Sequence, residues 1–315
     1  MVPQRSPARR TFTIMALPLI GLLVGNRRSI REGLRYLWQM LSWRPDARYP
    51  IAPDGPFGIC YDLVRASNAS RYQIIVDTLQ RLGLDTVAIP VPSEPLPDVL
   101  VRLQQQGSFT LFIAHYDKSR ETPTYQAASD NTAAVSVLLA VARELADQKS
   151  NRAVALLFTA AEEERGLKGA QSFLAWAKEH DLSIAEVVNL DMLGRDRLAL
   201  RPSALPGFYF WLPLLGELVY DGRRLRRGQS YELPDQRLVR RLTTLMRDTI
   251  VIYQRFTVYS DANVFQEAGL PTVTISSENM YYQDLVWERD ADRLELLDER
   301  NLRLARQLIV RFARG

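Results

Sequence analysis

The stretch that decides the fold runs from Ser108 to Leu145 and reads SFTLFIAHYDKSRETPTYQAASDNTAAVSVLLAVAREL. It opens with an apolar run at residues 109–113, which is typical of a short strand buried on both faces of a sheet. The run ends at His115 and Asp117, so a histidine and a carboxylate stand at the carboxyl end of the predicted strand. In open α/β sheets, ligands and catalytic groups gather beyond this end of the strands.

A second candidate ligand follows in the same stretch. Asp130 stands directly ahead of a long apolar helix predicted over residues 132–145. A strand end and a helix start would therefore bring His115 and Asp130 to one place. Histidine and carboxylate side chains are common ligands of divalent metal ions, so this place is a candidate metal site.

Strands and helices alternate along the rest of the chain. The sequence predicts strands at residues 57–64, 86–91, 109–113, 153–159, 187–190 and 272–276. It predicts helices at residues 68–82, with Ser70 as the N-cap, and at 132–145, 167–178, 236–253 and 301–313. Residues 99–105 suit either a strand or a short helix, and residues 196–235 break the pattern. We therefore predict an α/β fold, a three-layer sandwich with a mixed, mostly parallel central sheet between helices.

Composition sets broad limits on the protein. Its 315 residues suffice for one large α/β domain or two small ones, and 47% hydrophobic and 24% charged residues are ordinary for a soluble globular protein. The net charge of +4 comes from local groups of arginines, so we predict no nucleic-acid partner. A single cysteine, Cys60, excludes an intramolecular disulfide. The two histidines are His115 and His180, and His180 suits the C-terminal end of a helix without a catalytic role.

The N-terminal segment has two apolar features. Residues 11–24 carry no charge, and as a helix they would span roughly 20 Å, short of the ~30 Å hydrocarbon core of a bilayer. Residues 30–43 would form an amphipathic helix. Its apolar face would consist of Ile30, Leu34, Leu37, Trp38 and Leu41.

Two interpretations of residues 11–43 are open: helices packed on the domain, or attachment to a membrane. A Pro-rich stretch at residues 44–56 predicts a linker. We therefore expect residues 1–50 to form a membrane-proximal segment with its linker, and residues 51–315 to form the catalytic domain. The predicted localisation is membrane-associated through the N-terminus. Arginines flank the apolar run on both sides, so neither side of the membrane is favoured.

Three predicted strand ends carry metal-type side chains. These are His115, the pair Glu163 and Glu164, and Asp191. One imidazole with several carboxylates, Asp130 included, suits zinc or another first-row divalent ion. Adjacent glutamates can divide the work, since one can bind metal while its neighbour takes a proton from water.

Asp117, two residues beyond His115, is a candidate for orienting the imidazole. It could accept the second N–H of that ring and fix its tautomer, as carboxylates behind metal ligands do. A carboxylate shared between two ions would also build a co-catalytic pair suited to hydrolysis.

Four short motifs occur in the order HYD at 115–117, SDN at 129–131, EExGLxGA at 163–170 and NLDMLG at 189–194. In this order they resemble the co-catalytic zinc exopeptidases, a family that includes bacterial leucyl aminopeptidases, glutamate carboxypeptidases and glutaminyl cyclases. The resemblance covers about residues 57–312, and it implies the zinc-exopeptidase-like form of the predicted sandwich.

The resemblance implies a role for each matched residue. His115 and Asp191 would bind one zinc ion, and Asp130 would bridge it to a second ion. Glu164 would bind that second ion, and Glu163 would be the general base that activates the attacking water. The implied activity is that of a metallo-aminopeptidase, which hydrolyses N-terminal residues from a peptide substrate.

The chain also departs from the family pattern. Glu288 stands where a final histidine ligand is usual, while Ala262 replaces a usual histidine and Ser129 a usual aspartate. With Asp130 and Glu164, Glu288 would build a second site that is more anionic than the family's. Such a site would favour harder ions, such as manganese or magnesium, over zinc.

Two other functions are open. The same fold supports glutaminyl-cyclase-like acyl transfer at a site with one metal ion. A chain with a decayed site would instead be a non-catalytic, membrane-tethered relative. Glu163 argues against decay, because a site without catalysis has no physical need for a free carboxylate beside a ligand.

Overall fold

The computed structural model describes residues 27–104, 107–146, 151–163, 166–201, 236–246, 249, 251–253 and 259–315. Their strands in chain order are β1 Thr86–Ile89, β2 Asp98–Arg102, β3 Phe109–His115, β4 Val154–Thr159, β5 Ile184–Leu190, β6 Leu198–Arg201, β7 Val251–Tyr253 and β8 Thr272–Ser277. Their helices are α1 Arg27–Leu41, α2 Cys60–Leu63, α3 Asn68–Arg81, α4 Ala133–Ala146, α5 Lys168–Glu179, α6 Gln236–Leu245, α7 Ala262–Glu267, α8 Met280–Val286 and α9 Glu299–Arg314.

The eight described strands form one sheet in the order β1-β2-β4-β3-β5-β8-β6-β7. Its four central strands, β4, β3, β5 and β8, run parallel to one another. Antiparallel pairs lie towards both sides of this centre: β2 with β4, β1 with β2, and β6 with β8. The mixed, mostly parallel sheet predicted from the sequence is therefore confirmed.

Helices cover both faces of the sheet, which explains why its central strands are apolar throughout. Every residue of β3 and of β4 is buried. Successive residues of β3 alternate between the two layers of core: Phe112 packs with residues of α4 and α9, while Ile113 packs with residues of α5 and α7. This arrangement of helix, sheet and helix is the predicted three-layer sandwich.

Two predicted elements are wrong. Residues 57–64 form turns and the short helix α2, not a strand. Their buried side chains, Phe57, Cys60, Leu63 and Val64, recur at the three- to four-residue spacing of a helix. The helix predicted over 236–253 ends at Leu245, and its last residues form β7 beside β6. The β-branched residues in that end of the segment favour a strand.

Two smaller points refine the prediction. Helix α3 begins at Asn68 as expected, but its N-cap is Ser67, whose side chain accepts a hydrogen bond from the backbone N–H of Ser70. The ambiguous segment at 99–105 contains strand β2. The segment that broke the pattern contains β6, and residues 202–235 lie outside the described residues.

Helix α1 packs on the body of the protein through its polar and aromatic side. The Tyr36 hydroxyl donates a hydrogen bond of 2.9 Å to Asp284, and the buried side chain of Gln39 accepts one of 3.1 Å from the backbone N–H of Met280. Among the helices described, none combines the length and apolar character needed to cross a bilayer. The apolar run at residues 11–24 lies outside the described residues, so membrane attachment stays a prediction.

The predicted linker is hydrogen-bonded to the body at several points. The Arg195 guanidinium donates to the backbone carbonyls of Arg44 and Asp46. Further along, the Glu299 carboxylate accepts a 2.9 Å hydrogen bond from the backbone N–H of Ala52. The division of the chain at residue 50 stays a prediction, and the described part of the N-terminal segment lies against the predicted catalytic domain.

Candidate active site

The candidate site lies beyond the carboxyl ends of the central strands. His115 is the last residue of β3, and Asp191 follows the last residue of β5, which is the neighbouring parallel strand. Asp130 comes from the irregular turn between β3 and α4. All three side chains are buried. The parallel register of the strands therefore delivers two of the predicted ligands, and the loop before α4 supplies the third.

These three residues meet at one point. One ligand atom from each of His115, Asp130 and Asp191 lies within 4.8 Å of the others. His115 Nε2 is 3.2 Å from Asp130 Oδ1 and 3.9 Å from Asp191 Oδ1. One imidazole nitrogen thus faces two carboxylates, which is an arrangement that a divalent ion can occupy.

Asp117 lies on the other side of the imidazole. Its Oδ1 is 3.4 Å from His115 Nδ1. Its carboxylate also accepts hydrogen bonds from the backbone N–H groups of Glu162 and Glu163, at 3.3 and 3.1 Å. Asp117 thus lies beside the imidazole that it is predicted to orient, and it also fixes the backbone that carries the candidate base.

Asp292 fixes the backbone of Asp130. Its two carboxylate oxygens accept hydrogen bonds from the N–H groups of Ser129 and Asp130, at 2.7 and 3.0 Å. The Ser129 hydroxyl donates to the carbonyl of Leu193, which ties the same turn to the segment after β5. Asp292 was not selected from the sequence, because its partners lie about 160 residues earlier in the chain.

Glu163 carries a carboxylate oxygen that is not satisfied by the described residues. Its Oε1 is buried and accepts no hydrogen bond from them. Burial, followed by the nearby charge of Asp130, raises the pKa of Glu163 to about 10, although His115 opposes the shift. Bringing a cation near this carboxylate would lower the pKa again and return the group to its ionised, basic form.

The remaining carboxylates show the same shortage of positive charge. Burial and then Asp130 raise the pKa of Asp191 to about 7, and the buried Asp191 Oδ1 has no hydrogen-bond partner among the described residues. Burial alone would lower the pKa of His115, but Glu162, Asp117 and Asp130 together raise it well above its usual value. The donor set therefore fits a divalent cation, which would replace the protons held by these groups.

Two acidic residues near the cluster were not selected from the sequence. The charge of Glu162 is one of the main causes that raise the pKa of His115, and the run of three glutamates at 162–164 was the available signal. Asp261 is buried and accepts a hydrogen bond from the hydroxyl of Thr159, the last residue of β4. Burial raises the pKa of Asp261 to about 6, with Thr159 and His115 opposing the shift.

A buried arginine lies behind the site. The Arg71 guanidinium donates to the carbonyls of Leu63, Tyr116 and Gln126 and to the hydroxyl of Thr132. Burial lowers the pKa of Arg71 to about 10, so it remains charged at neutral pH. It therefore supplies a fixed positive charge to an acidic region and joins the end of β3 to both sides of the turn that carries Asp130.

Comparison with known proteins places the chain in a family. The pattern of Peptidase family M28 matches residues 98–313, which is more than half of the chain. The match includes all of the residues named above for the candidate site except Leu63 and Arg71. The chain belongs to peptidase family M28.

One similar curated protein is the "Probable zinc metalloprotease" of Pyrenophora tritici-repentis (strain Pt-1C-BFP). It is 27% identical over 215 residues, which are 63% of this chain and 49% of that protein. The chain therefore spans about half the length of this curated relative.

Solved structures share the fold. The LapA aminopeptidase of Legionella pneumophila superposes with a TM-score of 0.65 at 17% identity, over 84% of this chain and 71% of that one. The glutaminyl cyclase of Fimbriiglobus ruber gives 0.61 at 17% identity, over 84% and 96% of the two chains. A Zn-dependent exopeptidase from Parabacteroides distasonis gives 0.59 at 15% identity, over 85% and 100%. These similarities confirm the zinc-exopeptidase-like sandwich.

Two motif glycines of this M28 chain have a steric reason. A Cβ at Gly169, in EExGLxGA, would lie 2.2 Å from the carbonyl oxygen of Ala160 and 2.6 Å from the carboxylate of Asp98. Gly194, in NLDMLG, has a φ of +127°, and a Cβ there would lie 2.3 Å from Leu297. Both glycines therefore allow a close approach of segments that border the site.

The two remaining predicted ligands are Glu164 and Glu288. Glu164 lies outside the described residues. Glu288 is exposed, and its backbone carbonyl accepts a hydrogen bond from Arg120. Its charge is among those that raise the pKa of Glu163, after burial and after Asp130. Ligation by Glu164 and Glu288 in this M28 chain stays a prediction.

Proposed function

We propose that this protein is a metal-dependent exopeptidase that removes N-terminal residues from peptides. The observation that carries the proposal is the meeting of His115, Asp130 and Asp191 beside a carboxylate, Glu163, that has an unsatisfied buried oxygen. A cluster so short of positive charge needs a cation, and a free carboxylate beside a cation suits general-base catalysis.

His115, Asp130 and Asp191 would hold the first ion, and zinc is the ion that suits one imidazole with two carboxylates. When bound, the metal ion supplies Lewis acidity, which polarises the scissile carbonyl and lowers the pKa of water. Asp117 keeps the imidazole in the orientation that presents Nε2 to the ion.

Glu163 acts on the proton in the proposed reaction. It takes a proton from water as the water oxygen attacks the peptide carbonyl carbon. It then gives that proton to the leaving nitrogen as the carbon–nitrogen bond breaks, so the products are a free amino acid and a peptide shortened by one residue. The Asp117 contact with the Glu163 backbone N–H holds the base next to the cluster.

A second ion is part of the proposal. Asp130 would be shared between the two ions, with Glu164 and Glu288 completing the second site. Three carboxylates without an imidazole favour a hard ion, so manganese or magnesium would occupy this site more readily than zinc.

A one-metal acyl transferase is the second candidate. It is favoured by the three-residue cluster, which is sufficient for one ion, and by the fold shared with the glutaminyl cyclase of Fimbriiglobus ruber over 96% of that chain. Such an enzyme would release ammonia from an N-terminal glutamine as the backbone amine closes a ring on its side-chain carbonyl.

The deciding experiment uses the full chain, stripped of metal with a chelator and reloaded separately with zinc, manganese or magnesium. Peptides with a free N-terminus, the same peptides N-acetylated, and peptides with N-terminal glutamine are followed by mass spectrometry. Stepwise loss of N-terminal residues from free peptides alone is expected. Cyclisation without hydrolysis would favour the transferase, and neither reaction with any ion would indicate a non-catalytic relative.

A further inference from the structure

We propose that α1 docks the protein onto an anionic lipid bilayer through an outward face made of Leu34, Trp38 and Leu41. These side chains are 57%, 68% and 81% exposed. Their spacing of four and three residues aligns them in one stripe along the helix. Five large hydrophobic side chains are strongly exposed within the described part of the chain, and three of them form this face. A cluster of this kind marks an interaction site more than scattered exposure does.

The orientation of α1 is fixed by polar contacts on its other side. Gln39 is buried and accepts from the backbone N–H of Met280, while Tyr36 donates to Asp284. Trp43, just beyond the helix, stacks on Tyr282 with 5.9 Å between the ring centres. Turning the apolar face inward would break these hydrogen bonds, and the groups that form them would lose their partners. The apolar face therefore points away from the body because the fold holds it there.

The charge of the neighbouring sequence selects the partner. Residues 1–34 contain six arginines and a single acidic residue, Glu32, while Arg35 lies 3.8 Å from the Glu278 carboxylate of the body. Each basic residue near an anionic membrane surface contributes about 1 kcal/mol of attraction. The uncharged run at residues 11–24 adjoins the helix, and a tryptophan on an apolar stripe suits the bilayer interface. A second copy of the chain would bring the same arginine-rich segment into a symmetric contact, where the charges would repel.

Docking of this face would bring the bilayer to the side of the protein where α1 packs on α8. Helix α8, which α1 contacts through Gln39 and Tyr36, leads within two residues to Glu288. Tyr282 in the same helix lies near Asp292, whose charge adds to burial in raising the pKa of Tyr282. The substrates of the bound protein would thus be peptides held at, or released near, a bilayer surface.

The test uses the full chain and vesicles of phosphatidylcholine, with or without phosphatidylglycerol, whose acyl chains carry bromine. Bromine quenches only those tryptophans that enter the apolar region. Vesicles with phosphatidylglycerol should quench part of the emission. Trp38→Phe should lose most of that quenching, and Trp176→Phe, which alters a ring stacked on His180 in the body, should keep it.

A second pair of variants measures the binding itself. Leu34→Gln combined with Leu41→Gln should reduce co-sedimentation with anionic vesicles roughly tenfold, the change that ~1.4 kcal/mol of lost apolar burial gives. Val87→Gln replaces an exposed apolar residue of β1 and should bind like the unaltered protein. Because all of these side chains are exposed, thermal unfolding should confirm that each variant is folded.

Several outcomes would overturn the proposal. Binding without quenching of Trp38 would mean that another segment attaches the protein, or that residues 11–24 cover the face. Equal binding to vesicles without phosphatidylglycerol would contradict the choice of an anionic surface. Loss of a dimer in the Leu34 and Leu41 variant would assign the face to a second copy. None of these readouts uses enzymatic activity, so they stand apart from the proposed peptidase function.

Discussion

Asp292 holds Asp130 through its backbone: one oxygen of the Asp292 carboxylate accepts the N–H of Asp130 at 3.0 Å. The other oxygen accepts the N–H of Ser129. This double contact needs two acceptor oxygens on one side chain. A segment near the end of the chain therefore positions the carboxylate that we propose to be shared between two ions.

Asp292→Asn should weaken metal binding by roughly 10- to 100-fold, the usual effect of altering a group that orients a ligand. The side-chain amide keeps one acceptor oxygen, but its NH2 group would face the other backbone N–H. Two donors cannot bond to each other, so one of the two hydrogen bonds is lost. Competition with a coloured chelator measures the affinity. Asp290→Asn, at an exposed position two residues earlier, is the control. Unchanged affinity in Asp292→Asn would show that the turn holds Asp130 without this carboxylate.

Glu163→Gln should keep metal bound and lose peptide hydrolysis by ~100-fold or more, the scale of a general-base contribution. The amide has nearly the same shape but cannot take a proton from water. Metal content and initial rates are measured on the same sample. Glu179→Gln, at the exposed end of α5, is the matched control. Hydrolysis at the normal rate with metal bound would remove Glu163 from the mechanism.

Metal-free protein should lose stability as pH rises from about 4 to about 7. The pKa values of Asp261 and Asp292 are raised from 3.8 to about 6 and about 7, mainly by burial. The folded state therefore keeps protons that the unfolded state releases, and each group removes up to ~1.4 kcal/mol of unfolding free energy per pH unit. Below the unfolded pKa of these groups, both states are protonated and the stability that the bound protons contribute is fully present.

Urea unfolding at a series of pH values measures this dependence. Asp261→Asn should make the slope shallower, since the amide does not titrate. Saturating zinc should reverse the trend, because metal binding requires deprotonated ligands and stabilises the fold more as pH rises. Metal-free protein that gains stability across this range would contradict the raised pKa values.

Arg71→Met should destabilise the protein by at least about 3 kcal/mol. Three backbone carbonyls and one hydroxyl lose their donor, and an unsatisfied buried polar group costs about 1–3 kcal/mol. Lysine cannot reproduce the planar fork, so Arg71→Lys should recover only part of the loss. Arg65→Met, at a nearby exposed position, is the control for urea unfolding. A loss no larger than that of the control would mean that other donors replace the guanidinium.

Glu288→Ala should remove one of two bound ions, and Glu288→His should restore two and favour zinc. The prediction rests on the family position of Glu288, since its side chain is exposed and separate from the three-residue cluster. Metal stoichiometry by elemental analysis tests it, with exposed Glu295→Ala as the control. An unchanged count in Glu288→Ala would leave a one-metal site, in agreement with the cluster of His115, Asp130 and Asp191.

The centre of the fold could be predicted from the sequence, because the apolar pattern of its strands matches their burial in the middle of the sheet. The apolar run of β3 is buried on both faces, and parallel strand ends bring His115 and Asp191 together without further information. The prediction at residues 57–64 was wrong because short apolar runs suit both a strand and a helix. Asp292 was missed because backbone contacts between distant segments leave no periodic signal.

The direction of α1 could not be read from its amphipathic pattern either. An apolar stripe normally faces the core, whereas here Leu34, Trp38 and Leu41 face outward and Gln39 is buried. The reason lies in α8, whose first N–H groups lack partners within their own helix and are satisfied by Gln39. Long-range capping of this kind overrides the preference set by hydrophobicity.

The same cap bears on how the protein should be prepared and trimmed. The composition of residues 44–56 invites a cut near residue 51, yet that cut would delete Gln39 from the start of α8 and Trp43 from the ring of Tyr282. It would also leave Arg195 without the carbonyls of Arg44 and Asp46. A shortened chain that retains α1 would keep these contacts, so expression trials and limited proteolysis should treat Arg27 as the inner limit for trimming.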